Sequence, residues 1–306
     1  MIFQRTVKSE ICIEGIGLHS GLPVRLRIKP ANPDSGILFK RVDLGEGVEI
    51  EAHYRKIVNT QLATTLGEGK VKISTVEHLL AAFHGMGVDN AMVEVNGPEI
   101  PIMDGSSFAF CEAIAAVGLE NQHQSKPVLA IRKKVEVKIA EKWAYVEPSS
   151  RLEIHGSIDW DHPSIGFQEF HYIEGKTPFL ELSRARTFGF LRDVEALKKM
   201  GLARGGSLEN AVVLDHALIL NPEGLRFPDE FARHKVLDAL GDFKLAGIAI
   251  QGYFRLHRAG HDLHSQILNE IFRDPDNFEI IGDSEKQEGL SSLIQASLVR
   301  GWVAGI

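Results

Sequence analysis

Four groups of residues in this 306-residue chain have the types and spacing for chemistry. The first lies in Arg233-His234-Lys235-Val236-Leu237-Asp238-Ala239-Leu240-Gly241-Asp242, where His234, Asp238 and Asp242 stand at i, i+4 and i+8. At 3.6 residues per turn they share one helix face. A His and an Asp one turn apart can grip a metal ion from two sides. The same face also fits a solvated stripe with intrahelical pairs such as Lys235 with Asp238. The second group is Glu77-His78. A Glu beside a ligand His can act as base on a metal-activated water. Alternatively, Ser74-Thr75-Val76-Glu77 is a capping box, with Glu77 bonding back to Ser74. Ala82 stands four residues after His78, so no His-Glu-x-x-His motif is present and this segment offers one ligand. His234 and Asp238 can supply the two that a three-ligand catalytic site still needs. The third is Gly260-His261, where a His after a flexible Gly can project into a cleft as a cationic acid, or simply lie at a surface helix start. His264, one turn on, reads as a surface residue. The fourth is Thr187 in Ser183-Arg184-Ala185-Arg186-Thr187-Phe188-Gly189-Phe190, which can aim its hydroxyl at a developing oxyanion or merely end a strand.

These groups need elements to hold them. Apolar/polar alternation predicts strands at 11–13 and 24–29, with further strands at 91–95, 128–131, 135–139, 143–146, 152–158 and 248–256. A helix is expected from Thr75 to about His84, ended by Gly85 or Gly87, and another from Ser107 to about Val117. Later helices are expected at 229–245 and 260–272. The polar stretch Glu120–Pro127 reads as a boundary between domains at 1–122 and 127–306. An insert is expected at about 183–220, with a helix at 193–200 and a strand at 211–214. A His-bearing helix, a strand, a Gly-bearing turn and a helix occur in both halves. His78 precedes Gly105 by 27 positions and His234 precedes Gly260 by 26. This echo suggests duplication, with both histidines near one cleft.

Composition narrows the class. Lys and Arg number 34 against 41 Asp and Glu, a net charge of −7, which argues against a nucleic-acid partner. With only two cysteines, any metal must be held by His, Asp or Glu. No run approaches a membrane span and the first residues lack the apolar core of a signal peptide, so a cytoplasmic location is expected. Gly15-Ile16-Gly17-Leu18-His19-Ser20-Gly21 is glycine-rich but precedes no helix, so it is not a phosphate loop. High glycine and ordinary hydrophobicity fit a turn-rich α+β protein.

Taken together, Gly17-Leu18-His19, Ser74-Thr75-Val76-Glu77-His78-Leu79, Glu99-Ile100-Pro101-Ile102-Met103-Asp104-Gly105-Ser106, the 183–190 segment, Gly224-Leu225-Arg226-Phe227, the 233–242 helix and Gly260-His261 resemble the UDP-3-O-(3-hydroxyacyl)-N-acetylglucosamine deacetylase family. These are zinc amidases of lipid A synthesis. The resemblance implies two α+β domains, each a sheet with a helix layer, packed helix layer to helix layer around the active site, with a βαβ-like insert in the second. It implies zinc, with ferrous iron as an alternative, at His78, His234 and Asp238. Glu77 would be the general base, and His261, supported by Asp242, the acid. Thr187 would stabilise the oxyanion, and Lys235 would meet substrate charge. Leu18, His19, Phe188, Gly206, Ala211 and Lys235 would contact the substrate, a UDP-linked acyl amino sugar. A monomer is expected. Gln61 and Ala259 stand where the family commonly has Met and Ser, and Gln61 bears on acyl-length preference. The alternatives are a metal amidohydrolase with a different N-acyl substrate, or a non-catalytic sugar-nucleotide binding protein. The last would need neither Glu77 nor His261.

Overall fold

The computed structural model describes residues 2–45 and 48–282. The end of the expected second domain, 283–306, lies outside the described residues. Six helices occur in the described part: α1 (Glu77–Met86), α2 (Phe108–Val117), α3 (Phe179–Leu182), α4 (Leu191–Lys199), α5 (Glu230–Lys244) and α6 (His261–Arg273). None is long and apolar enough to cross a membrane.

One strand-and-helix plan is built twice. In the first half the hairpin Ile11–Ile16/Pro23–Pro30 lies antiparallel to a central strand, Ala91–Val95. On its other side that strand runs parallel to Ile37–Arg41, which pairs antiparallel with Glu49–Glu51. In the second half the hairpin Val135–Ile139/Lys142–Glu147 is antiparallel to Ala249–His257. That strand runs parallel to Leu152–Trp160, which pairs antiparallel with Gly166–Ile173. In each half one long helix (α1, α5) precedes the central strand and one (α2, α6) follows it. The echo in the sequence is thus a repeated topology. Val128–Ile131 and Phe278–Ile281 widen the second sheet to seven strands.

The strands follow from period-2 patterning. In Pro23–Pro30, Val24, Leu26 and Ile28 are buried while Arg25, Arg27 and Lys29 alternate outward. The inward faces must be covered, and the helices cover them. α1 packs directly against α5, so closely that a Cβ added at Gly241 would lie 1.9 Å from the Glu77 carbonyl oxygen. Only glycine permits this approach. α1 is buried through its first seven residues for the same reason.

The insert takes the expected form. Phe188–Phe190 and Val212–Leu214 pair in parallel with α4 between them, a βαβ unit. A small apolar core of Ile158, Ile165, Phe190, Val212, Leu214 and Phe231 fastens it to the second sheet and α5.

Two expectations are corrected. The polar 120–127 stretch, placed at the domain boundary, is mostly strand and not turn. Leu119–Ser125 is a strand antiparallel to Phe3–Val7. Its polar side chains are used: Gln122 donates to the Ala31 carbonyl and accepts from Asn90. The capping box does not form either. α1 starts at Glu77 with no side-chain cap, Thr75 sits at φ 60°, and the Ser74 hydroxyl bonds Thr65 instead. Gly87, at φ 76°, ends the helix by donating its N–H to Phe83 and His84.

Candidate active site

The α1–α5 contact brings His78, from the second position of α1, onto the His234/Asp238 face of α5. His78 Nε2 lies 3.4 Å and His234 Nε2 3.3 Å from Asp238 Oδ1. All three ligand atoms lie within 4.8 Å of one another, and all three residues are buried. The face is therefore interior, not a solvated stripe. His234 Nδ1 donates to the Ala185 carbonyl at 3.1 Å, which leaves its Nε2 a lone pair aimed at a carboxylate. Burial lowers the His234 pKa to about 3, which favours the neutral ring, the form that can bind a metal. The His234 lone pair and the Asp238 oxygen, converging at 3.3 Å, repel unless a cation sits between them. The separations also match the edge of a tetrahedron with metal–ligand bonds of about 2.0–2.1 Å, roughly 3.3–3.4 Å. These residues fit a divalent metal. Burial alone would raise the Asp238 carboxyl, but the neighbouring imidazoles and Lys235 hold it well below the usual range. Lys235 donates from Nζ to Asp238 Oδ2 at 2.9 Å, so the intrahelical pair forms alongside the metal grouping.

Glu77 turns inward instead of capping its helix. It accepts the Thr64 N–H at 3.1 Å, and its Oε1 lies 3.7 Å from His261 Nε2. Burial raises its pKa, which the charges on His261 and His78 oppose. His261 opens α6 after Gly260 and donates from Nδ1 to Asp242 Oδ2 at 2.7 Å. Burial would lower its pKa, yet Asp242 and Glu77 push it up to about 9. A buried carboxylate and a buried imidazole, both with raised pKa, thus stand side by side near His78, His234 and Asp238. Asp242 is held at about 2 against burial, chiefly by His261. Its other oxygen accepts the Thr64 hydroxyl at 2.6 Å. The surface reading of His264 is wrong: it is fully buried and donates from Nδ1 to the same Asp242 oxygen at 2.8 Å. Its neighbours Ser265 and Gln266 make the segment look exposed in sequence, whereas the stripe His261-His264-Leu268 faces inward.

Leu18, His19, Thr187 and Lys235 line the same cleft as Glu77, His78, His234, Asp238 and His261. Glu99 positions the first two. This buried carboxylate accepts the backbone N–H groups of His19 and Ser20, each at 2.8 Å, and the Thr75 hydroxyl at 3.1 Å. His19 Nδ1 accepts the Ala203 N–H at 3.3 Å, so its Nε2 carries the proton, buried and unpaired among the described residues. That N–H is a donor available to a substrate. Thr187 is pinned by its N–H to the Gly105 carbonyl at 2.8 Å. The adjoining Arg186 is buried in bonds to Glu230, Glu223 and the Gly224 carbonyl. Phe188 packs edge-on to Phe231, and the Lys235 ammonium lies 5.5 Å from its ring centre. Gly206 and Ala211 belong to the insert and flank the cleft: a Cβ on the exposed Gly206 would lie 3.7 Å from Leu18 Cδ1, and Ala211, whose carbonyl accepts from Asn221, precedes Val212, whose N–H donates to the Thr187 carbonyl at 2.8 Å. Leu62, Thr75 and Ile102 also line the cleft; Thr75 and Ile102 fall in segments that carry the family resemblance, whereas nothing in the sequence marks Leu62. Leu62 and Thr75 both have φ near +60°, the strained backbone that functional sites accumulate.

The sequence matches the LpxC family model, UDP-3-O-acyl N-acetylglycosamine deacetylase, over residues 4–273. The chain belongs to this family. Curated relatives named UDP-3-O-acyl-N-acetylglucosamine deacetylase include that of Myxococcus xanthus, 50% identical over 91% of this chain and 89% of the relative. Those of Teredinibacter turnerae (44%; 97% and 99%) and Acidithiobacillus ferrooxidans (43%; 97% and 100%) match almost end to end. Among the segments that carry the deacetylase-family resemblance, Glu99, Asp104 and Arg226 now have physical work in this chain. Glu99 holds the 17–20 loop, and Arg226 Nη1 bonds Asp104 Oδ2 at 2.8 Å, tying the 104–107 turn to the segment before α5.

Proposed function

We propose that this chain hydrolyses the N-acetyl group of a UDP-linked 3-O-acyl-N-acetylglucosamine, releasing acetate and the free amine for lipid A synthesis. The reading rests on one observation above all. A buried carboxylate and a buried imidazole that is itself bonded to Asp242 stand 3.7 Å apart beside three residues that can hold a metal. Binding alone requires no such pair.

The metal we propose is zinc, or ferrous iron, held by His78, His234 and Asp238. When bound there it supplies a Lewis acid for the amide carbonyl and acidifies a water toward neutrality. Glu77 takes the proton of the attacking water, a task that burial suits by raising its basicity. The Thr187 hydroxyl, fixed through Gly105, donates to the oxyanion. The leaving amine is expelled only when protonated, and His261, charged through Asp242 and Glu77, gives it that proton. His19 Nε2 and Lys235 meet polar and anionic parts of the substrate, and Leu18 and Phe188 its apolar surface. Gly206, beside Leu18, and Ala211, next to Val212, meet the acyl chain in this reading.

A nucleotide-sugar substrate supports a cytoplasmic location, and a monomer is part of the same reading. The repeated topology supports reading 1–122 and 127–306 as two domains closing on the site. The test is acetate release from the UDP-acyl sugar by wild type, Glu77→Ala and His261→Ala. Both variants should lose at least about 10²-fold in kcat. Full activity in both would remove this assignment of roles.

A further inference from the structure

One oxygen of Asp242 serves two imidazoles. Its Oδ2 accepts Nδ1–H from His261 at 2.7 Å and from His264 at 2.8 Å, while Oδ1 takes the Thr64 hydroxyl. His264 is 0% exposed. Its ring meets Phe243 edge-on at 5.5 Å, and its Nε2 is buried with no hydrogen-bond partner among the described residues. In such a place a lone pair costs less than an unpaired N–H, and far less than a cation. The His264 proton therefore sits on Nδ1, with Asp242 as its hydrogen-bond partner among the described residues. An aliphatic side chain would fill the same space without stranding a nitrogen. The bond to Asp242 is what the imidazole adds.

We propose that His264 is a positioning residue for the proton donor: it shares the Asp242 oxygen with His261, fixing where that oxygen lies and moderating how tightly it holds the His261 proton. This rests on the reading of His261 as the acid. The groups that face His261 are Glu77 from α1, Asp238 and Asp242 from α5, His19 from the 17–20 loop and His264 from its own helix. Asp242 is the nearest carboxylate. A second donor on its Oδ2 draws negative charge away from the His261 bond. His261 then gives up its proton at a lower pH than it would opposite an unshared carboxylate. An acid whose pKa lies nearer the working pH transfers its proton to the amine faster.

The test is the pH profile of kcat/KM for metal-loaded wild type, His264→Phe and His264→Asn. Phe keeps the packing and removes the donor. Its basic limb should move up by about 0.5–1 pH unit, with kcat down about three- to ten-fold and the bound metal unchanged. Asn places an amide N–H where Nδ1 stood and should restore the wild-type limb. Identical basic limbs in all three proteins would overturn the proposal. A measurement on the wild type needs no variant to fold. Nitrogen-15 NMR of labelled histidines should show the His264 proton on Nδ1. A proton on Nε2 would also overturn it. If His261→Gln retains the basic limb, the reading of His261 fails, whereas the tautomer of His264 is decided by NMR independently.

Discussion

Replacing Gly241 with Ala puts a methyl group between the two helices that carry the site. Its Cβ would lie 1.9 Å from the Glu77 carbonyl oxygen, 2.7 Å from the carbonyl carbon and 3.0 Å from Cα. All three are backbone atoms of the first turn of α1, so no rotamer change relieves the clash. The helices must part here by more than about 1 Å to restore normal packing. Two effects oppose each other in stability. Ala favours the helix over Gly by about 1 kcal/mol, while wedging a packed interior costs about 1–3 kcal/mol. The net is a loss of about 0–2 kcal/mol and a Tm lower by at most a few degrees. The site suffers more. His78 follows Glu77, and its Nε2 is 3.4 Å from Asp238 Oδ1. A shift of about 1 Å opens that separation beyond a tetrahedral edge and misplaces the base by an amount that costs about 10²-fold in rate. Acetate release, metal content after gel filtration and a thermal melt measure all three effects. A folded Gly241→Ala enzyme with full kcat and a full equivalent of metal would refute the idea that this contact sets the site.

Other outcomes follow from the same geometry. The pH profile of kcat/KM should be bell-shaped. Glu77 must be ionised, so activity falls as pH drops through its raised pKa; His261 must be charged, so activity falls as pH rises through about 9. A profile flat to pH values well above about 9 would contradict the His261 role. Thr187→Val should lower kcat by about 10²-fold with metal content unchanged; an unaltered kcat would remove Thr187 from the oxyanion's partners. Glu99→Gln leaves one of two backbone N–H groups facing a donor, so stability should fall by about 1–3 kcal/mol. KM should rise several-fold as Leu18 and His19 loosen, with bound metal unchanged; an unchanged KM would show that Glu99 does not act through that loop.

The chemistry was more legible in the sequence than the surroundings that tune it. His234 and Asp238 announce themselves by helical spacing, and strands such as Pro23–Pro30 by alternation, because both signals are local. His264, Glu99 and Thr64 act through partners 22, 80 and 178 residues away, which no window along the chain contains. Glu77 misleads for a related reason. Ser74-Thr75-Val76-Glu77 has the letters of a capping box, but Thr75 takes a left-handed backbone and the carboxylate is drawn into the interior beside His261. The 119–125 strand has no apolar face, so patterning reads it as a turn, although Phe3–Val7 and side-chain amides hold it extended.

The most direct measurement is metal reconstitution. Chelated, metal-free protein is titrated with zinc while acetate release from the UDP-acyl sugar is followed. Activity should be absent at the start, rise in proportion to added zinc and level off at one equivalent, with His78→Ala failing to follow. Full activity in the metal-free protein, or in His78→Ala without metal, would contradict catalysis at the His78/His234/Asp238 centre.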